Sequence, residues 1–289
     1  MIEMKLKKLT GTLVWSSNDA PHNLINEPMP LGIAHAFGIS SIIREYSLSS
    51  LKENSCVQSM SHHGRSYYLG NTESWHYFSK GGGWTLGSGW TPEHGNTGIL
   101  PLWAALRERD LSLKLNSLGI AVSLPVAIWE LSSIVGPDNK LIPSNQVIDL
   151  DGTLARPSLF VYQSRQRWRL ADLPHVQPSV RVHIKNNFWE IINRLKDSVK
   201  KLHNNGGHDY SISLHNAWTD GSRVDFEYVY LPNQPHPVMA LNADINEWQS
   251  KEKQSLYELI YQLAELCNYE IEPKDMIQAR NEIALGLMR

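Results

Sequence analysis

Nineteen residues from Lys80 to Gly98, KGGGWTLGSGWTPEHGNTG, hold seven of the 19 glycines in the chain. Glycine loses more conformational freedom on folding than any other residue, so this density excludes a helix or a strand there. A loop is required, and it separates strand-like sequence on its N-terminal side from helical sequence on its C-terminal side. Upstream, RSYYLGNTESWHYFS (Arg65 to Ser79) is two aromatic-rich runs around Gly70, Asn71 and Thr72, which predicts a β-hairpin leading into Lys80. Downstream, ILPLWAALRERDLSLKLNSLG has apolar residues dense enough for a mostly buried helix, with Gly119 at its C-cap.

IAVSLPVAIWEL and RPSLFVYQS then have strand character. The first 60 residues look irregular, with NDAPHNLINEPMP a loop. In the second half, Phe188, Ile191, Ile192, Leu195, Val199 and Leu202 fall on one helical face, which Gly206 and Gly207 close. Two short β-like runs come next, YSISL and RVDFEYVYL, joined by the turn TDGS. Two amphipathic helices end the chain, one carrying Leu256, Leu259, Ile260, Leu263 and Leu266. This order predicts an α+β, bilobal layout with a cleft between a strand-rich lobe over residues 1–163 and a helical lobe over 164–289.

The bulk composition excludes several classes. Lys and Arg number 27 against 29 Asp and Glu, so no nucleic-acid or membrane-surface partner is expected. Two cysteines, Cys56 and Cys267, are too few for a disulfide framework or a thiolate zinc site. Neither a signal peptide nor a membrane span is read, and the expectation is a cytoplasmic protein. The ten tryptophans are scattered and are read as packing residues.

Four residues in fixed order carry the chemistry. Lys80 ends a strand and precedes Gly81, Gly82 and Gly83. Glu108 lies in the long helix. Asn216 comes after a helix, a Gly-Gly turn and a short strand. Asp225 opens the tripeptide DFE, nine residues after Asn216. A triphosphate needs a rigidly held cation, and a glutamate on a packed helix holds a lysine in place. Magnesium takes oxygen ligands, which an amide and a carboxylate on two arms of a hairpin supply. Glycines beside the phosphates let backbone N–H groups approach. ATP and Mg2+ are therefore the expected cofactors.

These segments resemble the selenoprotein O family of kinase-fold enzymes over roughly residues 65 to 230. SKGGGW is similar to the family's Lys-Gly-x-Gly after its third strand. LRERDLSLKLNSLGIAVSLPVAIW is similar to its helix and following strand, with Glu108 twelve residues before Ile120. GGHDYSISLHNAWTDGSRVDFE is similar to its catalytic segment, in which the second metal ligand also begins nine residues after the Asn. The resemblance implies a protein-kinase-like fold, ATP bound in a flipped orientation, and AMP transfer to hydroxyl side chains of proteins. It assigns phosphate contact to Lys80, orientation of Lys80 to Glu108, and magnesium to Asn216 and Asp225. Arg169 matches the second of the family's two phosphate-binding arginines. The first aligns with Tyr162, leaving Arg165 or Arg167 to substitute.

The departures concern the base. The family's Asp before the metal-binding Asn is His215 here, and the third residue of DFE is Glu227. Its N-terminal Gly-His-Gln-Phe-Gly has at most a remnant in SHHGRSYYLG, and its long C-terminal region with a redox-active residue is not carried over. In ordinary kinases the catalytic aspartate lies five residues before that Asn. Ser211 stands there, and a hydroxyl does not accept a proton at neutral pH as a carboxylate does. The candidate catalytic residues are His215, Asp209 (two residues out of register) and Ser211. A zinc site on His203, His208 and His215 is a weaker alternative, because the spacings do not suit a helical pair.

The expected function is ATP- and Mg-dependent transfer of AMP to a hydroxyl of a protein, peptide or small molecule. The alternatives are a small-molecule or peptide kinase transferring the γ-phosphate, and a nucleotide-binding pseudokinase scaffold.

Overall fold

The computed structural model describes residues 2–25, 31–39, 48–52, 55–60, 66–82, 99–136, 140–147, 154, 156–209, 212–226, 228–234 and 244–286. The glycine-rich loop from Gly83 onward and the SHHG turn therefore lie outside the described residues, as do Ser211 and Glu227. The chain is α+β and divides into two compact units, residues 1–109 with 124–165, and residues 110–123 with 166–289. Residues 110–123, placed with the strand-rich half on sequence, thus belong to the second unit.

The first unit is built on a nine-stranded sheet. Its strands are β1 (Ile2–Lys8), β2 (Gly11–Ser16), β3 (Leu31–Ile39), β4 (Cys56–Met60), β5 (Ser66–Asn71), β6 (His76–Gly81), β7 (Leu100–Pro101), β8 (Leu124–Leu131) and β11 (Pro157–Ser164), with the two-residue β7 beside β11. The short pair β9 (Ser133–Val135) and β10 (Leu141–Pro143) stands apart. Sheet order is β2-β8-β11-β6-β5-β4-β1-β3, and every ladder is antiparallel. A four-residue helix, α1 (His22–Ile25), follows β2, and α2 (Leu102–Ser117) follows β7.

The described part of the first 60 residues is therefore not irregular, and four of the strands come from it. The alternation Met4, Leu6 against Lys5, Lys7 in β1 is the period-2 signal of a half-buried strand. Leu6 is fully buried while Lys5 and Lys7 are partly exposed. The predicted hairpin is β5–β6, and it sets Lys80 opposite both Ser66 and Phe160. Leu6, Tyr67, Leu69, Val126, Trp129, Leu159 and Val161 form the core over one face of the sheet. Phe78, Phe160 and Tyr162 stack with ring centroids 5.4 and 5.7 Å apart.

The second unit contains α3 (Pro178–Asn186), α4 (Phe188–Asn204), β12 (His208–Asp209), β13 (Val229–Tyr230), α5 (Ile245–Cys267) and α6 (Pro273–Gly286). Six apolar side chains of α4 are buried at the expected spacing, as are Leu256, Leu259, Ile260 and Leu263 of α5. The C-terminal half of α2 ends in a left-handed turn at Gly119, φ 73°. Gly119 N–H donates to the Asn116 carbonyl at 3.0 Å and Ile120 N–H to that of Leu115 at 3.1 Å, closing the last turn. Leu111, Leu115 and Ile120 then pack with Leu202, Phe226 and Val229.

The two β-like runs of this half are cut differently from the sequence expectation. YSISL is not a described strand: pairing occurs one step earlier, His208 and Asp209 against Tyr230 and Val229, and Leu214–Asn216 is a 3-10 turn. Ile212 and Leu214 satisfy their alternation by burial without a ladder. RVDFEYVYL breaks at Asp225, which has φ 66°.

Gly81 has φ 90°, and a Cβ there would lie 2.3 Å from the Ser158 carbonyl oxygen on β11. At Gly119 a Cβ would meet only the Lys201 ammonium at 3.6 Å. Gly119→Ala is expected to cost about 1–2 kcal/mol, the left-handed penalty alone. Gly81→Ala is expected to cost more, because the β6–β11 ladder must also move apart. Denaturant unfolding of the two variants measures the difference.

Candidate functional site

In the first unit, Lys80 near the end of β6 donates to Glu108 Oε2 of α2 at 2.7 Å. Both side chains are 3% exposed. Two opposite charges taken this far from water stabilise each other, and removing one deprives the other of a counter-charge at 2.7 Å in a poor dielectric. The helix reaches this strand because α2 starts directly after β7, where Leu102 N–H donates to the Arg156 carbonyl at 2.7 Å. Beyond Lys80, Gly81 and Gly82 both have positive φ. Arg165, after β11, lies with its guanidinium 4.0 Å from the ring centre of Trp75.

In the second unit, Asn216 and Asp225 sit at the open end of a tight hairpin. Val224 N–H donates to the Asn216 carbonyl at 3.0 Å, Ala217 pairs with Arg223, and Trp218 N–H donates to the Ser222 carbonyl at 2.8 Å. Asp220 closes the turn, its Oδ1 accepting from Ser222 N–H at 2.9 Å and from the Ser222 hydroxyl at 2.6 Å. The hairpin is flanked on both sides. One arm receives Leu170 N–H on the Ala217 carbonyl at 2.9 Å. The other exchanges Arg223 N–H to the Ala121 carbonyl and Ser123 N–H to the Arg223 carbonyl, both at 2.9 Å. Trp218 is fully buried and donates its indole N–H to Ser123 Oγ at 2.7 Å.

Burial changes sharply along these arms. Ala217, Trp218, Arg223, Val224 and Phe226 are buried, whereas His215, Asn216 and Asp225 are half-buried. Only Asp225 and Asn268 among the described non-glycine residues have positive φ. Asn268 caps α5, a common place for that conformation. Asp225 caps no helix, and a backbone held in a sparsely populated region is a marker of function.

Arg169 is buried and braces this hairpin. Its Nη1 donates to the His215 carbonyl at 2.9 Å, its backbone N–H donates to Asp172 Oδ2 at 3.0 Å, and its guanidinium lies 5.7 Å from the Trp218 ring centre. Arg167 is also buried, its guanidinium 4.5 Å from the ring centre of Trp168.

Asp209 is engaged in a way the sequence did not suggest. It is 2% exposed and ion-paired with Arg223 Nη2. Arg223 Nη1 lies 3.8 Å from Glu252 Oε1 of α5. The other Glu252 oxygen accepts from Asp209 N–H at 3.0 Å and faces His203 Nε2 at 2.7 Å. Burial lowers the Arg223 pKa, and the Glu252 carboxylate opposes that shift. Arg223 and Glu252 were missed on sequence. Glu252 had a signal: it lies four residues before Leu256 and seven before Leu259, on the apolar stripe of α5.

The structure thus joins Lys80 to Glu108 and Arg169 to His215, and it pairs the backbone of Asn216 with Val224, the residue before Asp225. Asp209 is held by Arg223, while Gly83 and Ser211 lie outside the described residues. His203 faces Glu252, and His208 stacks on Tyr230 and Trp248 at 5.2 and 5.8 Å. Among the described residues no group of three or more His, Cys, Asp or Glu is placed to hold a metal, so the three histidines form no zinc cluster. Burial pushes the Cys267 thiol up to about 11, opposed by Lys185 and Arg181, which disfavours a thiolate nucleophile. Among the described residues no helix is long and apolar enough to cross a membrane. No protein-family model and no curated protein sequence matches the chain.

Glu108→Ala and Lys80→Met are each expected to cost about 3–5 kcal/mol of stability, because each deprives a buried charge of its counter-ion. The double variant Lys80→Met/Glu108→Leu is expected to recover most of that loss. Equilibrium unfolding of the three proteins checks this. Full recovery with loss of nucleotide binding would mark the pair as kept for chemistry.

Proposed function

We propose that the protein is an ATP- and magnesium-dependent transferase of kinase-like, bilobal fold. The observation that carries this is the buried Lys80–Glu108 pair, a strand lysine held by a glutamate of the helix that comes after it. Protein kinases require the same pair, which holds the lysine toward the nucleotide phosphates. The hairpin adds the second requirement. Asn216 and Asp225 offer an amide and a carboxylate oxygen on adjacent arms, half-buried among buried residues, which suits a hard cation such as Mg2+. A metal bound there would neutralise phosphate charge. Lys80 binds phosphate, Glu108 keeps its ammonium aimed, and Gly81 and Gly82 allow close backbone approach.

AMP transfer to a hydroxyl of a protein, peptide or small molecule is favoured over γ-phosphate transfer by the resemblance to selenoprotein O, including the nine-residue step from Asn216 to Asp225. His215 is the preferred proton acceptor. It is half-buried beside Asn216, and its backbone carbonyl accepts from Arg169. Asp209 supports the hairpin through Arg223 instead. Arg165, Arg167 and Arg169 remain candidates for phosphate contact, with Arg169 already committed to the loop.

A second reading is a nucleotide-binding scaffold without turnover, favoured by the burial of Asp209 in its ion pair. Incubation with ATP labelled separately at the α and γ phosphates, with mixed protein and small-molecule acceptors, separates the cases. Transfer of α label with release of pyrophosphate is expected. Transfer of γ label alone indicates a kinase, and thermal stabilisation by Mg·ATP without transfer indicates the scaffold. Stabilisation of about 2.7 kcal/mol is expected at 100-fold excess over the dissociation constant. His215→Ala is expected to lower transfer about 100-fold or more while leaving that stabilisation unchanged.

A further inference from the structure

We propose that Arg223 is the positioning residue of the Asn216–Asp225 pair, acting through Asp209 and Glu252; this rests on the metal-holding role proposed for that pair. Arg223 stands two residues before Asp225 on the same arm. Its backbone is the crossing point of the local ladder: it bridges Ala217 on the partner arm and Val122 on the flanking segment. Its side chain runs the other way, into the interior, where it is 3% exposed.

There the guanidinium meets two carboxylates from different elements. Asp209 comes from β12 and pairs with Nη2. Glu252 comes from α5, on the face that carries Leu256, Leu259 and Ile260 into the core, and lies 3.8 Å from Nη1. Ser198 Oγ of α4 is 3.5 Å from the same nitrogen. One side chain thus ties the Asp225 arm to α4, α5 and β12. Glu252 closes the circle by accepting from Asp209 N–H at 3.0 Å and facing His203 at 2.7 Å.

The chemistry requires arginine. A guanidinium presents donors in a rigid planar fork and reaches two carboxylates at once. A lysine is a point charge and satisfies one of them. Rotation or sliding of the arm would pull a buried cation from two buried anions, so the arm has one register. At its end is Asp225, whose backbone is already held at φ 66°. The anchor supplies the restraint that such a conformation needs. Mutating the residues that orient a metal ligand commonly costs about 10–100-fold in metal affinity.

Mn2+ binding in the presence of ATP, followed by the electron paramagnetic resonance of free Mn2+, tests this on the full chain. Near-UV circular dichroism establishes that each variant is folded. Arg223→Lys and Glu252→Gln are expected to weaken Mn2+ about 10-fold. Saturating Mn2+ is expected to restore ATP binding in both, which a merely unfolded protein does not permit. Asp225→Asn is the control for the underlying reading. If it loses Mn2+ while Arg223→Lys and Glu252→Gln bind as the wild type does, the positioning role is overturned and the metal pair stands. If Asp225→Asn binds Mn2+ like the wild type, the metal pair falls and the positioning role with it. If Arg223→Lys does not fold, Glu252→Gln decides alone; defective ATP binding there that saturating Mn2+ does not restore overturns the proposal.

Discussion

A cation removed from water must be met by anions, and the second unit is arranged around that requirement at Arg223. Its guanidinium draws in a carboxylate from β12 and another from α5, so elements far apart in sequence are brought to one point. Arg223 lies on one arm of the hairpin from Asn216 to Asp225, so this meeting ties that arm to β12 and α5. Backbone ladders on both arms, to residues 169–170 and 121–123, complete its support. The arms end in two half-buried oxygen-bearing side chains, which in the proposed function hold the metal.

The first unit applies the same principle at smaller scale. Lys80 and Glu108 meet at 2.7 Å, and both are out of water. Such a pair adds little net stability compared with well-packed apolar residues of similar size. In the proposed function an incoming triphosphate supplies the additional negative charge that the lysine is held to receive.

Much of this was legible in the chain. The hairpin before Lys80 declared itself by aromatic runs around Gly70 and Asn71, and α4 by its six apolar residues at helical spacing. The Lys80–Glu108 pairing was readable as order and spacing. Of the early strands, β3 and β4 were obscured for a physical reason. β3 carries Gly32 and Gly38, and β4 is five residues long, so neither offers a strong periodic signal. The role of Asp209 was hidden because ion pairing depends on a partner fourteen residues away and on Glu252 beyond it. A carboxylate on the apolar stripe of α5 was the available clue, since burial there demands a cation.

Affinity for ATP, measured by calorimetry with and without Mg2+ in the wild type, Lys80→Met and Asp225→Asn proteins, tests the central claim most directly. The wild type is expected to bind ATP tightly only with Mg2+. Asp225→Asn is expected to lose the magnesium dependence, and Lys80→Met to bind weakly in either condition. ATP binding of equal strength in all three proteins, or none in the wild type, would contradict the assignment of Lys80 to phosphate and of Asn216 and Asp225 to the metal.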